Sequence, residues 1–169
     1  MGQRTRSLVA VLIIVVIAGA VLGIDALKRR PPAPAPAAAA PTALPPGAVP
    51  IYVDGQLAGG ITPQDIDLIA KASFTDKAQG VEQSGWLLRD IVLLRVARAG
   101  LKPDAKLRVS SSSRNKAAEV TWAEADEPSN YVMFDLSNRG TLKLVSVLQR
   151  LDTRDEWVQD VDKIEVFLP

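Results

Sequence analysis

The hydrophobic positions of this chain follow three different rhythms. Residues 8–24 read LVAVLIIVVIAGAVLGI, seventeen positions without a charge or a polar face. A helix of that length spans roughly 25 Å at ~1.5 Å per residue, and Ser7, Ala26 and Leu27 extend it toward the thickness of a bilayer core. Arg4 and Arg6 precede the run, and Lys28, Arg29 and Arg30 follow it. Such side chains snorkel to the membrane surface. A buried helix of a soluble domain keeps polar residues on one face. The pattern therefore predicts a single-pass anchor, residues 1–30 with their basic flanks, in a bacterial cytoplasmic membrane. Lipid contact runs through residues 8–24, and the C-terminal domain lies in the periplasm or outside. A cleaved signal peptide is the competing reading, because a basic start and the small residues Ala18-Gly19-Ala20 fit one. The apolar run is longer than such segments usually are, which favours the anchor. Gly19 and Gly23 form a G-x-x-x-G that allows close helix pairing, although glycine is common in membrane helices anyway.

The second rhythm is proline. Residues 31–49, PPAPAPAAAAPTALPPGAV, contain seven prolines and no charge. Proline fixes φ and removes the amide donor, so the segment predicts an extended spacer rather than a core. A ligand for a proline-recognition domain is the alternative, but no basic residue flanks a P-x-x-P core within the tract.

From residue 50 to 169 the pattern is that of a globular domain. Val49–Val53 alternates and runs into Asp54-Gly55, a hairpin turn, with Gln56–Ile61 as the return strand. Thr62-Pro63-Gln64-Asp65 is a capped helix start, followed by Ile66, Ile69 and Ala70 and ending near Lys71 or Ala72. Ala72–Gln83 shows no clear period; Phe74 fits a strand and Gly80 a loop. Ser84-Gly-Trp86 opens the most prominent predicted helix, carried by Leu87, Leu88, Ile91, Val92 and Leu94 to Ala99 and stopped at Gly100. Lys106–Ser110 and Ala117–Trp122 read as strands around a serine-rich polar loop. Glu124–Pro128 reads as an acidic loop. Tyr131–Leu136 and Leu142–Val147 are strands joined through Ser137-Asn138-Arg139-Gly140. The last strand alternates Ile164, Val166 and Leu168 against Lys163, Glu165 and Phe167. Strands with two helices among the early ones predict an α+β domain with a mixed sheet.

Composition narrows the chemistry. The chain has no cysteine and no histidine, which removes thiolate and imidazole nucleophiles, disulfides and the usual zinc, iron–sulfur and haem ligands. No cofactor and no metal are expected. Residues 50–169 carry fifteen basic and eighteen acidic side chains, a net charge of −3. The slight positive charge of the whole chain comes from the membrane flanks, so nucleic acid is not an expected partner. Glu124, Asp126 and Glu127 could hold calcium, but their spacing departs from that of calcium loops and lacks glycine. Trp86, Arg114 and Trp122 are the candidate ligand contacts: two aromatic faces, and a guanidinium beside four serines. Against that stands a core role for Trp86, and for Trp157, which enters an apolar cluster with Val158, Val161 and Ile164.

The run SGWLLRDIVLLRVARAGL, then LRVSSSS, the hairpin ending GTLKLVSV and the late EWVQDVDKIEVF together resemble the molybdopterin-binding domain of sulfite-oxidase-type oxidoreductases. The matching positions are Trp86, Ala99-Gly100, Leu107–Ser110, Trp157-Val158 and Ile164-Glu165-Val166. The resemblance implies a reduced version of that fold. In the family a cysteine thiolate holds the molybdenum and histidine and arginine surround the cofactor; this chain has neither cysteine nor histidine, and its domain is smaller. The fold transfers and molybdenum catalysis does not.

The resulting expectation is a membrane-tethered, non-catalytic binding or accessory domain on the extracytoplasmic face. Its partner would be another membrane or periplasmic protein, such as a membrane redox complex. A small-molecule-binding domain with a pterin-like pocket is the alternative. A two-carboxylate enzyme is a third class, since eighteen acids make some close pair inevitable.

Overall fold

The computed structural model describes residues 43–169, with Ala78 excepted. The expected membrane span, the Gly19/Gly23 pair and most of the proline tract lie outside the described residues. No helix among the described residues is long and apolar enough to cross a membrane.

The domain is α+β with two sheets, where a single mixed sheet was expected. The first strands, β1 (Val49–Val53) and β2 (Gln56–Ile61), form the predicted hairpin. Its turn uses Asp54 at φ 47° and Gly55 at φ 80°, the left-handed pair that matches the strand twist. The folded body begins before residue 50. Ala48 donates its amide to Pro45, and Leu44 covers Gly60 so closely that a Cβ there would lie 2.8 Å from Leu44 Cδ2.

Helix α1 (Pro63–Ile66) is a single turn, shorter than the sequence suggests. Its start is as read: Thr62 and Asp65 form a reciprocal cap, with the Thr62 amide donating to the Asp65 carboxylate at 2.9 Å. Strands β3 (Ala72–Thr75) and β4 (Glu82–Leu87) follow, then α2 (Leu88–Leu93). This corrects the long helix expected from Ser84. Trp86 lies on a strand, the helix is six residues long and ends at its C-cap Leu94, and an extended Ala97 precedes a 3-10 turn at Arg98–Gly100. The cause is burial: Gly85, Trp86 and Leu87 are buried in succession at the end of inner strand β4, so the alternation that marks a strand is lost just before α2. Gly85 is required here, since a Cβ would fall 1.8 Å from the Phe134 carbonyl oxygen.

Strands β5 (Lys106–Ser111) and β6 (Lys116–Thr121) form a hairpin. Trp122, expected at a strand end, instead opens α3 (Trp122–Asp126), because Thr121 and Glu124 form a second reciprocal cap. The acidic segment is therefore largely helix. The chain ends with β7 (Met133–Leu136), β8 (Leu142–Val145) and β9 (Lys163–Phe167).

The first sheet has the order β2-β1-β9-β5-β6, with β1 and β9 parallel and the other neighbours antiparallel. The second, β3-β4-β7-β8, is antiparallel throughout. The main core unites the inner face of the first sheet (Ile51, Leu107, Val109, Ile164, Val166) with Leu88, Ile91 and Val92 of α2 and with Trp86 and Phe134 of the second sheet. Leu87 and Met133 alternate with Trp86 and Phe134, so they point to the other face of the second sheet. There they join Val145 and Trp157 in a smaller cluster.

Candidate functional site

That other face of the second sheet carries a cleft of about 640 Å³. Cross-strand pairing sets its floor. Gly85 of β4 faces Asp135 of β7, which faces Lys143 of β8. Because Gly85 has no side chain, the strands lie close and leave room above them. The Lys143 ammonium is 2.9 Å from the Asp135 carboxylate and donates to the buried Gln83 Oε1 at 2.9 Å. It also lies 5.0 Å from the ring centre of Trp157, which forms one wall. Trp157 is held by its indole N–H, which donates to the Leu151 carbonyl at 3.0 Å.

The rim is basic and comes from three segments distant in sequence. Arg114 stands at the tip of the β5–β6 hairpin, Arg139 in the β7–β8 turn, and Arg154 in the segment leading to Trp157. Arg114 Nε donates to Asp160 Oδ2 at 2.6 Å, and Arg139 Nη2 reaches both oxygens of the same carboxylate at 3.1 and 3.0 Å. Thr141 Oγ1 adds a fourth bond at 2.7 Å. The Thr141 hydroxyl and then Arg114 hold the Asp160 carboxyl below the usual carboxylate range. Arg154 has no ion-pair partner among the described residues.

The four basic side chains lining the cleft (Arg114, Arg139, Lys143, Arg154) outnumber the carboxylates in or beside it (Glu82, Asp135, Asp160). Guanidinium groups present planar forks of donors that suit oxyanions. Asp135 is paired with Lys143, and Asp160 with Arg114 and Arg139. The arrangement is suited to holding a polar, anionic ligand.

A second concavity of about 750 Å³ lies on the outer face of the first sheet, over Tyr52, Arg108, Ser110, Lys163 and Glu165. Lys163 and Glu165 pair there at 3.1 Å. Apart from the β1–β9 pair this sheet is antiparallel, and such a sheet commonly leaves one face to water.

The three residues singled out in the sequence are not brought together. Arg114 lines the cleft. Trp86 is 5% exposed and Trp122 4%, and both belong to the main core, so neither offers a ring to a ligand. Each carries a cation over its face: Lys71 lies 4.9 Å from the Trp86 ring centre, and Arg98 5.7 Å from that of Trp122. Trp157 packs in the smaller core cluster, as read, and also forms a cleft wall. Gln83, Arg139, Lys143 and Arg154 were not singled out, because nothing local in the sequence joins them. Only the Arg139-Gly140 turn hinted at an exposed arginine. The acidic segment does not converge either: Glu124 is bound by Arg150, Asp126 by Arg98 and Glu127 by Ser129. No group of three or more metal-ligating side chains occurs among the described residues. No family model matches the chain, and no curated protein matches it.

Proposed function

We propose that this chain is a membrane-tethered, non-catalytic binding or accessory domain, displayed on the extracytoplasmic face of a bacterial cytoplasmic membrane in the service of a membrane redox complex. Its domain is a reduced relative of the sulfite-oxidase-type molybdopterin-binding fold. The observation that carries the binding role is the make-up of the cleft: three arginines from separate segments line its mouth, with Lys143 at its floor. Guanidinium forks arranged in this way suit an oxyanion. The apolar run at residues 8–24 and the proline tract supply the tether and the spacer.

The same cleft favours a second form of this reading, in which the domain binds a small molecule in a pterin-like pocket without molybdenum. Arg114 is the one candidate ligand contact named from the sequence that lines it.

Fractionation tests the tether. Full-length protein is expected to stay with membranes through high-salt and carbonate washes. Soluble protein with a new N-terminus near residue 21 or 27 would show a cleaved signal peptide instead. Affinity purification of the detergent-solubilised chain then identifies the partner, and a thermal-shift screen with pterins and nucleotides tests the small-molecule form.

A further inference from the structure

We propose that Asp160 is a built-in competitor for the cleft: its carboxylate occupies the Arg114–Arg139 guanidinium pair that the anionic group of a ligand takes when it binds. This inference rests on reading the cleft as a ligand site, and it adds how that site is gated.

Three observations carry it. First, one carboxylate accepts from two guanidiniums on two different hairpins, Arg114 at 2.6 Å and Arg139 at 3.0 and 3.1 Å, with Thr141 as a further donor at 2.7 Å. Two cations converging on one acid make a subsite for an oxyanion, with Asp160 supplying the oxyanion from within the chain. Second, Asp160 has a φ of 55°. A side-chain-bearing residue adopts that left-handed backbone at a cost, and the surrounding bonds must hold it there. Third, the grip is incomplete. Arg114 uses only Nε and Arg139 only Nη2 on the acid, and their side chains remain 42% and 59% exposed. Donors are thus left for an incoming anion before Asp160 lets go. Gln159, the neighbour of Asp160, lines the cleft, so the competing carboxylate sits at the cleft's edge.

The test is calorimetric titration of the full-length, detergent-solubilised chain with inorganic pyrophosphate, a probe with the required charge and no ring. Asp160→Asn removes the competing charge with a side chain of the same shape that tolerates the left-handed region. It is expected to tighten binding by at least about tenfold, the factor that a charge-assisted hydrogen bond contributes. Thr141→Val changes no charge; it loosens the grip on Asp160 and also breaks the Ser137–Thr141 hydroxyl contact of 2.6 Å in the turn that carries Arg139, so Ser137→Ala, which loosens that turn without touching Asp160, is its control. Thr141→Val is expected to tighten binding by about threefold, the worth of a neutral hydrogen bond, and it separates release of the carboxylate from a general change in potential. Arg114→Gln combined with Asp160→Asn should abolish the gain. Melting curves of each variant establish that it folds. Equal affinity of the parent, Asp160→Asn and Thr141→Val overturns the competitor and leaves the cleft reading standing. Tightening in Asp160→Asn alone also overturns it, because charge removal then accounts for the effect. Failure of every form to bind pyrophosphate, and of the parent to respond to pterins or nucleotides, overturns the cleft reading and the competitor with it.

Discussion

The ammonium of Lys143 lies 5.0 Å from the centre of the Trp157 ring, while the same nitrogen pairs with Asp135 and donates to the Gln83 side-chain oxygen Oε1, each at 2.9 Å. One cation thus ties the floor of the cleft to its wall. Lys143 is only 15% exposed in its side chain and Asp135 16%, so each depends on the other. Lys143→Met keeps an apolar stem against the indole and removes the charge. It should destabilise the domain by ~1–3 kcal/mol, the cost of leaving a buried polar group unpartnered, read as a lower urea midpoint at unchanged slope. Adding Asp135→Asn should recover part of that loss, because the orphaned charge is then gone. Simple addition of the two single effects would show that the pair does not interact.

Trp86 is a structural residue on this account. A buried Trp→Ala change costs ~3–5 kcal/mol, against a total stability of ~5–15 kcal/mol. Trp86→Ala should therefore lower the melting temperature by many degrees while leaving any ligand-induced shift at low temperature intact. A variant that melts like the parent and loses its ligand or partner would make Trp86 a surface hot spot.

The acid side of the stability profile rests partly on Glu124. Arg150 grips its carboxylate with two bonds of 2.7 Å, and Thr121 donates both its amide and its hydroxyl. Arg150 is the largest cause of a pKa drawn from 4.5 down to about 2. The folded value lies below the unfolded one, so the stabilisation is complete above the ordinary glutamate range and is lost as pH falls from there toward 2. Asp65, drawn from 3.8 to about 2 chiefly by Arg95, acts in the same window. Arg150→Gln should therefore be less stable than the parent at neutral pH, and the two should converge near the bottom of that window. A gap between them that stays constant with pH would contradict this.

Elements whose signal is local were legible in the sequence. The Asp54-Gly55 turn, the Thr62 cap and the alternation of the last strand all depend on neighbours within a few residues, and the structure bears them out. The stretch from Ser84 to Gly100 misleads because Gly85–Leu87 at the end of β4 are buried on both faces and run straight into α2, giving one apolar block with no period-two signature. Trp122 misleads for a related reason: the Thr121–Glu124 cap that turns strand into helix is visible only once Thr121 is recognised as an N-cap. As a ligand site the cleft was legible only at Arg114, Trp157 being read as a core residue. Gln83, Arg139, Lys143 and Arg154 come from separate segments, and only the pairing of β4, β7 and β8 brings them to one face.

A cleft built from Arg114, Arg139 and Lys143 to hold an anion makes the stability of the domain respond to one. The measurement is thermal-shift titration of the full-length solubilised chain against pterins and nucleotides, with Arg114→Gln/Arg139→Gln as the control. An anionic member of the set is expected to raise the melting temperature of the parent in a saturable, salt-sensitive manner, and the double variant, folded by circular dichroism, to show no shift. A shift of equal size in the double variant, or no shift with any compound in the parent, would contradict this.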